Sequence, residues 1–85
     1  MTEKKIGKVS HFFGKISVAI IEITDEPLAV GDTIHIKGHT TDLTQKVESM
    51  QIEHQNVDKA EIGQSIGLKV TAHCRVDDIV YKVIE

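Results

Sequence analysis

Tryptophan is absent, cysteine and proline occur once each, and only Phe12, Phe13 and Tyr81 are aromatic among the 85 residues. With so few rings, branched aliphatic side chains must fill the interior, and at this density they favour strands over helices. The lone Cys74 excludes an internal disulfide. Small exported domains commonly rely on several, so a reducing cytosol is the expected compartment. No apolar run approaches the ~20 residues that span a bilayer, and Met1 to Lys5 is polar with no signal-peptide core behind it. A soluble, unexported, cytoplasmic chain without membrane contact is predicted. A basic excess is also missing: 10 Lys and Arg stand against 13 Asp and Glu, for a net charge of −3. The chain as a whole has no attraction for phosphate backbones, and any RNA contact must be local.

What is present is an ordinary globular composition, 40% hydrophobic and 27% charged. A chain of this length buries only about 60–65% of its extended surface, so one core is expected. The organisation read from the sequence is a flexible N-terminus over residues 1–5 and a single domain over residues 6–85.

Short apolar runs cut by turn signals follow one another along the chain, the spacing of a sandwich or barrel. Ile6 to Phe13 ends at Gly14-Lys15, and Ile16 to Ile23 is almost continuously apolar, as in a strand covered on both sides or one that bends. Pro27 presets a turn, and Gly31-Asp32 forms a corner that glycine takes cheaply where φ is positive. Thr33 to Lys37 alternates, with Ile34 and Ile36 on one face. Leu43 to His54 changes phase midway, which a bulge near Glu48 or Ser49 repairs. Asn56 to Gln64 reads as a loop with at most one turn. From Ile66 the alternation predicts Ile66, Leu68, Val70, Ala72 and Cys74 inward, and Gly67, Lys69, Thr71, His73 and Arg75 outward. Arg75 to Asp78 turns the chain into a last strand, Ile79 to Ile84. Six strands with short connections predict a closed or nearly closed barrel, because closure removes exposed edges.

Catalytic chemistry finds little to work with. Five histidines, His11, His35, His39, His54 and His73, invite a zinc site, but His35 and His73 are predicted outward while Cys74 points in. They are read as surface histidines. His73 beside Cys74 projects from the opposite face of a strand, so the thiol is a buried, inert one. Asp77-Asp78 reads as a turn. No glycine-rich loop ending in lysine and serine or threonine is present to hold a nucleotide. The expectation is a non-enzyme with no catalytic residues, no metal and no cofactor. Aromatic and basic residues mix at one place, Phe12 beside Lys8, His11 and Lys15, the chemistry that stacks and steers single-stranded nucleic acid. These four are the candidate partner-binding residues, against the plainer reading of Phe12 as core.

The order of these segments resembles the β-barrel second domain of translational GTPases such as elongation factor Tu, from about Ile6 to Val83. Leu28-Ala29-Val30-Gly31-Asp32-Thr33-Ile34-His35-Ile36 is similar to that domain's corner and following strand, and Val47-Glu48-Ser49-Met50-Gln51 to its bulged strand. Val57 to Leu68 and Val76-Asp77-Asp78-Ile79 fit the later turns. The chain also resembles free-standing elongation-factor-like small proteins. A second resemblance, through Ile36 to Asp42 and Val47 to Ile52, is to the C-terminal barrel attached to some collagenase-type peptidases of the U32 group. In the stretch Lys8-Val9-Ser10-His11-Phe12-Phe13 the acids with which the elongation factor holds charged tRNA are missing.

The resemblance implies an all-β, six-stranded antiparallel Greek-key barrel of the translation-protein type. It implies a binding module in protein biosynthesis, docking on RNA, the ribosome or a translation protein. The alternative is an accessory protein-interaction domain serving a separately encoded enzyme such as a U32-type peptidase.

Overall fold

Branched residues at every second position leave each strand with one face to bury, and the chain meets that demand by wrapping one long sheet around a common interior. The computed structural model describes residues 2–84. It contains β1 (Thr2–Phe13), β2 (Val18–Ile23), β3 (Leu28–Ala29), β4 (Thr33–Lys37) and β5 (Asp42–Lys46), then β6 (Met50–Ile52), β7 (Gln55–Val57), β8 (Lys59–Ala60), β9 (Ser65–Lys69) and β10 (Ile79–Ile84). No helix occurs among the described residues. Eight strands form one sheet in the order β5-β4-β10-β1-β2-β9-β6-β7, and β3 pairs with β8 apart from it. All ladders are antiparallel.

Two features differ from the sequence expectation of six strands in a closed barrel. The ladder ends at β5 on one side and β7 on the other without joining them, so no closed barrel forms. The extra strands come from pieces of two or three residues, too short for a period-2 pattern to mark them. The phase change in Leu43 to His54 is a full break at Val47–Ser49 between β5 and β6. β6 then turns at once into β7, so the turn falls at the end of what reads as one strand, Leu43 to His54, and β7 runs on into what reads as a loop from Asn56. The turn is made by Glu53 and His54, both at positive φ (51° and 64°), as a two-residue hairpin of this kind requires.

Thr2 to Lys5, expected to be loose, pairs residue by residue with Ile84 to Tyr81 of β10; Met1 lies outside the described residues. All four side chains are exposed, so no buried face announces the strand. The inward set from Ile66 holds for Ile66, Leu68, Val70 and Cys74, but β9 ends at Lys69 and Ala72 is exposed.

Strand β1 serves both halves of the sheet because it bends twice. Register shifts at Lys5/Gly7 and Val9/His11 let its start pair with β10 and its end with β2. At the first bend a Cβ on Gly7 would lie 2.0 Å from the Glu22 carbonyl oxygen, so only glycine lets the two backbones meet. The core is a single cluster to which nearly every strand contributes, with Ile6, Ile21, Ile34, Ile36, Ile66 and Val80 fully buried. Each such side chain stabilises the fold by roughly 1.5–3 kcal/mol relative to exposure. Leu28 and Ala60, paired between β3 and β8, close the same cluster. Gly31 takes φ 100° at the expected corner. There Asp32 accepts a bond from the Ala29 amide at 2.9 Å.

Candidate functional site

The register shift at Val9/His11 decides where the four candidate residues go. Ser10 is the extra residue, and beyond it the alternation of β1 is inverted. His11 therefore lies opposite Ile20, Phe12 opposite the buried Ala19, and Phe13 opposite Val18. Phe12 faces inward, packs against the core and meets the His73 ring edge-on at 4.7 Å. Lys8 pairs with Glu22 on the outer face, and Lys15 is exposed in the turn between β1 and β2. Lys8, His11 and Lys15 thus share the outside without Phe12. The aromatic that does stand beside His11 is Phe13, its ring 6.3 Å from the imidazole. Counting the bulge would have exchanged the two phenylalanines, but nothing in Val9-Ser10-His11 marks it.

On the outer face of the sheet, Phe13 joins a groove. With Ile16, Val18 and Ile20 it forms an apolar wall, facing Gln51, Glu53 and His54 across a floor at Ser65 to Gly67, and the space enclosed is about 300 Å³. Phe13 is 50% and Ile16 60% exposed, far more than apolar side chains of this size in a sealed interior. The almost continuously apolar run from Ile16 to Ile23 is explained by this face: Ala19, Ile21 and Ile23 supply the core, Val18 and Ile20 the groove.

The polar clusters are structural. His35, on β4, is half-buried and donates from Nδ1 to Glu3 Oε2 at 2.8 Å and from Nε2 to Asp42 Oδ1 at 2.5 Å. The Asp42 bond, opposed by desolvation and reinforced by Glu3, raises its pKa above the ordinary 6.5. The ring joins β1, β4 and β5, a role its outward parity does not reveal. Cys74 is buried, and loss of solvent, aided by the Asp78 carboxylate, pushes its thiol up to about 11. Asp78 itself is buried and accepts from the Arg75 amide at 2.8 Å, holding the turn before β10. Among the described residues no three His, Cys, Asp or Glu side chains are grouped to hold a metal ion, and no helix is long and apolar enough to cross a membrane.

No family model matches the chain. Over 82 residues, 95% of its length, it is 43% identical to an uncharacterised protease of Methanocaldococcus jannaschii, of which it covers 20%. Over 78 residues, 91% of its length, it is 40% identical to a collagenase of Porphyromonas gingivalis, of which it covers 22%. The chain thus spans about a fifth of the length of these curated relatives. Among solved structures, the C-terminal domain of a Geobacillus thermoleovorans protein assigned as a U32 peptidase superposes with a TM-score of 0.86. That match has 20% identity and covers 93% of this chain and 91% of that one; a selenomethionine form of the same domain gives 0.84 at 19% identity, covering 91% and 96%. These relatives overturn the expected kinship with translation factors, and with it the expected place in protein biosynthesis. The second resemblance is the one that holds: in fold the chain is a counterpart of a U32 peptidase C-terminal domain, and in sequence it is similar to about a fifth of two curated proteases.

Proposed function

We propose that the chain is a non-catalytic accessory domain of the kind a U32 peptidase carries at its C-terminus, a protein-interaction module that works with peptidase machinery supplied by other residues. The observation that carries this reading is the match of nearly the whole chain to only about a fifth of each protease. The local chemistry supports it. The thiol most suited to nucleophilic work is buried and held protonated, and the best-placed histidine has both ring nitrogens engaged by carboxylates.

The test is to incubate the purified chain with denatured casein, alone and with a U32 peptidase. No hydrolysis by the chain alone, together with a changed KM of the peptidase when it is added, is the expected result. Cleavage by the chain alone that Cys74→Ser or His35→Gln removes would overturn the proposal.

A further inference from the structure

Gly67 stands in the middle of β9, opposite Ile20 on one side and Gln51 on the other. Its backbone is not in the left-handed region. A Cβ built on it would meet the Ile20 Cδ1 and Val18 Cγ1 atoms at 3.7 Å and the Gln51 carbonyl oxygen at 3.9 Å, all ordinary van der Waals contacts. Nothing in the fold requires glycine here, whereas at Gly7 the Glu22 carbonyl does. Glycine inside a strand costs about 0.5–1 kcal/mol relative to alanine, and where the chain itself has no use for it, a strand glycine marks close approach by another molecule's backbone.

Gly67 is also the floor that joins two troughs. The apolar groove of Phe13, Ile16, Val18 and Ile20 shares Val18, Gln51 and Gly67 with a second hollow of about 200 Å³ that runs on to Ser49 and Lys69. The combined trough has an apolar wall, a polar rim with Glu53 toward one end and Lys69 toward the other, and a bare backbone between. Such a shape suits an extended polypeptide laid across the floor with an apolar side chain against Ile16 and Phe13. The other exposed apolar residues, Val30, Ile62, Val76 and Ile84, line neither hollow.

From this we infer that the trough over Gly67 seats an extended, apolar-anchored segment of a U32-type peptidase body. The inference rests on the accessory role proposed above. The occupant is argued from length: the curated relatives carry about four-fifths of their residues outside the region this chain matches, so in each of these a module of this kind is covalently joined to a much larger body. An exposed apolar patch on a small domain is covered most economically by the body it accompanies.

The experiment uses the purified full chain and, as probe, a purified U32 peptidase that lacks a C-terminal domain of this fold, with affinity read by calorimetry. Wild type should bind. Ile16→Ser and Gly67→Val should each weaken binding about tenfold or more (about 1.4 kcal/mol). Ile62→Ser, exposed outside the trough, should leave it unchanged. Methyl resonances of Ile16, Val18 and Ile20 should shift on binding. Melting curves of the variants, expected within about 4 °C of wild type, separate lost contact from lost folding. Equal affinity of wild type, Ile16→Ser and Gly67→Val overturns the trough while leaving the accessory role standing. Absence of any wild-type binding overturns both. Two other results also sink the inference: self-association of the chain that Ile16→Ser abolishes, and trough resonances that move with denatured casein but not with the peptidase.

Discussion

The side-chain amide of Gln45 is bonded to the backbone at Thr71 as a neighbouring strand would be. Its Oε1 accepts from the Thr71 amide at 2.9 Å, and its Nε2 donates to the Lys69 carbonyl at 2.9 Å. Gln45 belongs to β5, one end of the ladder, and Lys69 is the last residue of β9. One side chain therefore ties the open margin of the sheet to the end of a strand with which β5 forms no ladder. Gln45→Ala should cost about 1–2 kcal/mol, two net hydrogen bonds at the usual magnitude, and Gln45→Glu should cost at least as much because it replaces the donor with a carboxylate oxygen set against the Lys69 carbonyl. Urea denaturation checks this; an unchanged midpoint for both variants would show that the margin is held by other contacts.

Gly7 and Gly67 should respond to alanine in opposite ways. The new Cβ at Gly7 meets the backbone oxygen of Glu22 at 2.0 Å and cannot be accommodated by a side-chain rotation. Gly7→Ala is expected to destabilise by about 3 kcal/mol or to prevent folding. At Gly67 the Cβ finds contacts of 3.7 Å, and relief of the unfolded chain's entropy should leave Gly67→Ala neutral or more stable by up to about 1 kcal/mol. Thermal melts of both variants decide the matter, and comparable losses at the two positions would contradict the packing described for β1 and β9.

The fold is legible in the sequence where one buried face runs for five or more residues. Thr33 to Lys37, with Ile34 and Ile36 inward, and Ile79 to Ile84 are both strands as read. The corner at Gly31 is legible because positive φ gives it a local cause, and the parity change near Glu48 marks a real irregularity, though it is a break between β5 and β6 rather than the expected bulge within one strand. What failed is non-local or unpatterned. Thr2 to Lys5 owes its strand to pairing with β10 and buries nothing. The β6–β7 turn places positive φ on Glu53 and His54, where no glycine signals it. At the candidate site Ser10 shifts the register, which sends Phe12 to the core, the plainer of its two readings, and Phe13 to the surface. Which edge fails to close is a property of the whole sheet, and alternation within single strands carries no information about it.

Cys74 should behave as a core residue toward thiol reagents. Burial and the Asp78 carboxylate push its thiol up to about 11, so the reactive thiolate is scarce at neutral pH even before access is considered. Reaction with a disulfide reagent at about pH 8 should be slow in the native protein and reach the rate of an ordinary cysteine (pKa about 8.5) only in denaturant. Rapid labelling without denaturant would mean that the turn from Thr71 to Asp78 opens readily.

His35 makes stability depend on pH in a definite direction. Asp42 and Glu3 bond the charged ring, and the Tyr81 ring lies 6.2 Å from it on β10. Its folded-state pKa is raised above the ordinary 6.5, chiefly by the Asp42 bond. A raised value means that the folded protein holds the proton more tightly than the unfolded chain. The contribution is therefore complete below the ordinary value and is lost as pH rises through the folded one. Both carboxylates are partly in solvent, which limits the effect to about 1 kcal/mol. Between about pH 6 and about pH 8 the melting temperature should fall by up to roughly 4–8 °C on this account. His35→Gln should remove that slope while lowering the melting temperature mainly at the acidic end. A wild-type slope that survives in His35→Gln would assign the pH dependence to another group, and a slope of the opposite sign would mean that desolvation of His35 outweighs its two carboxylates.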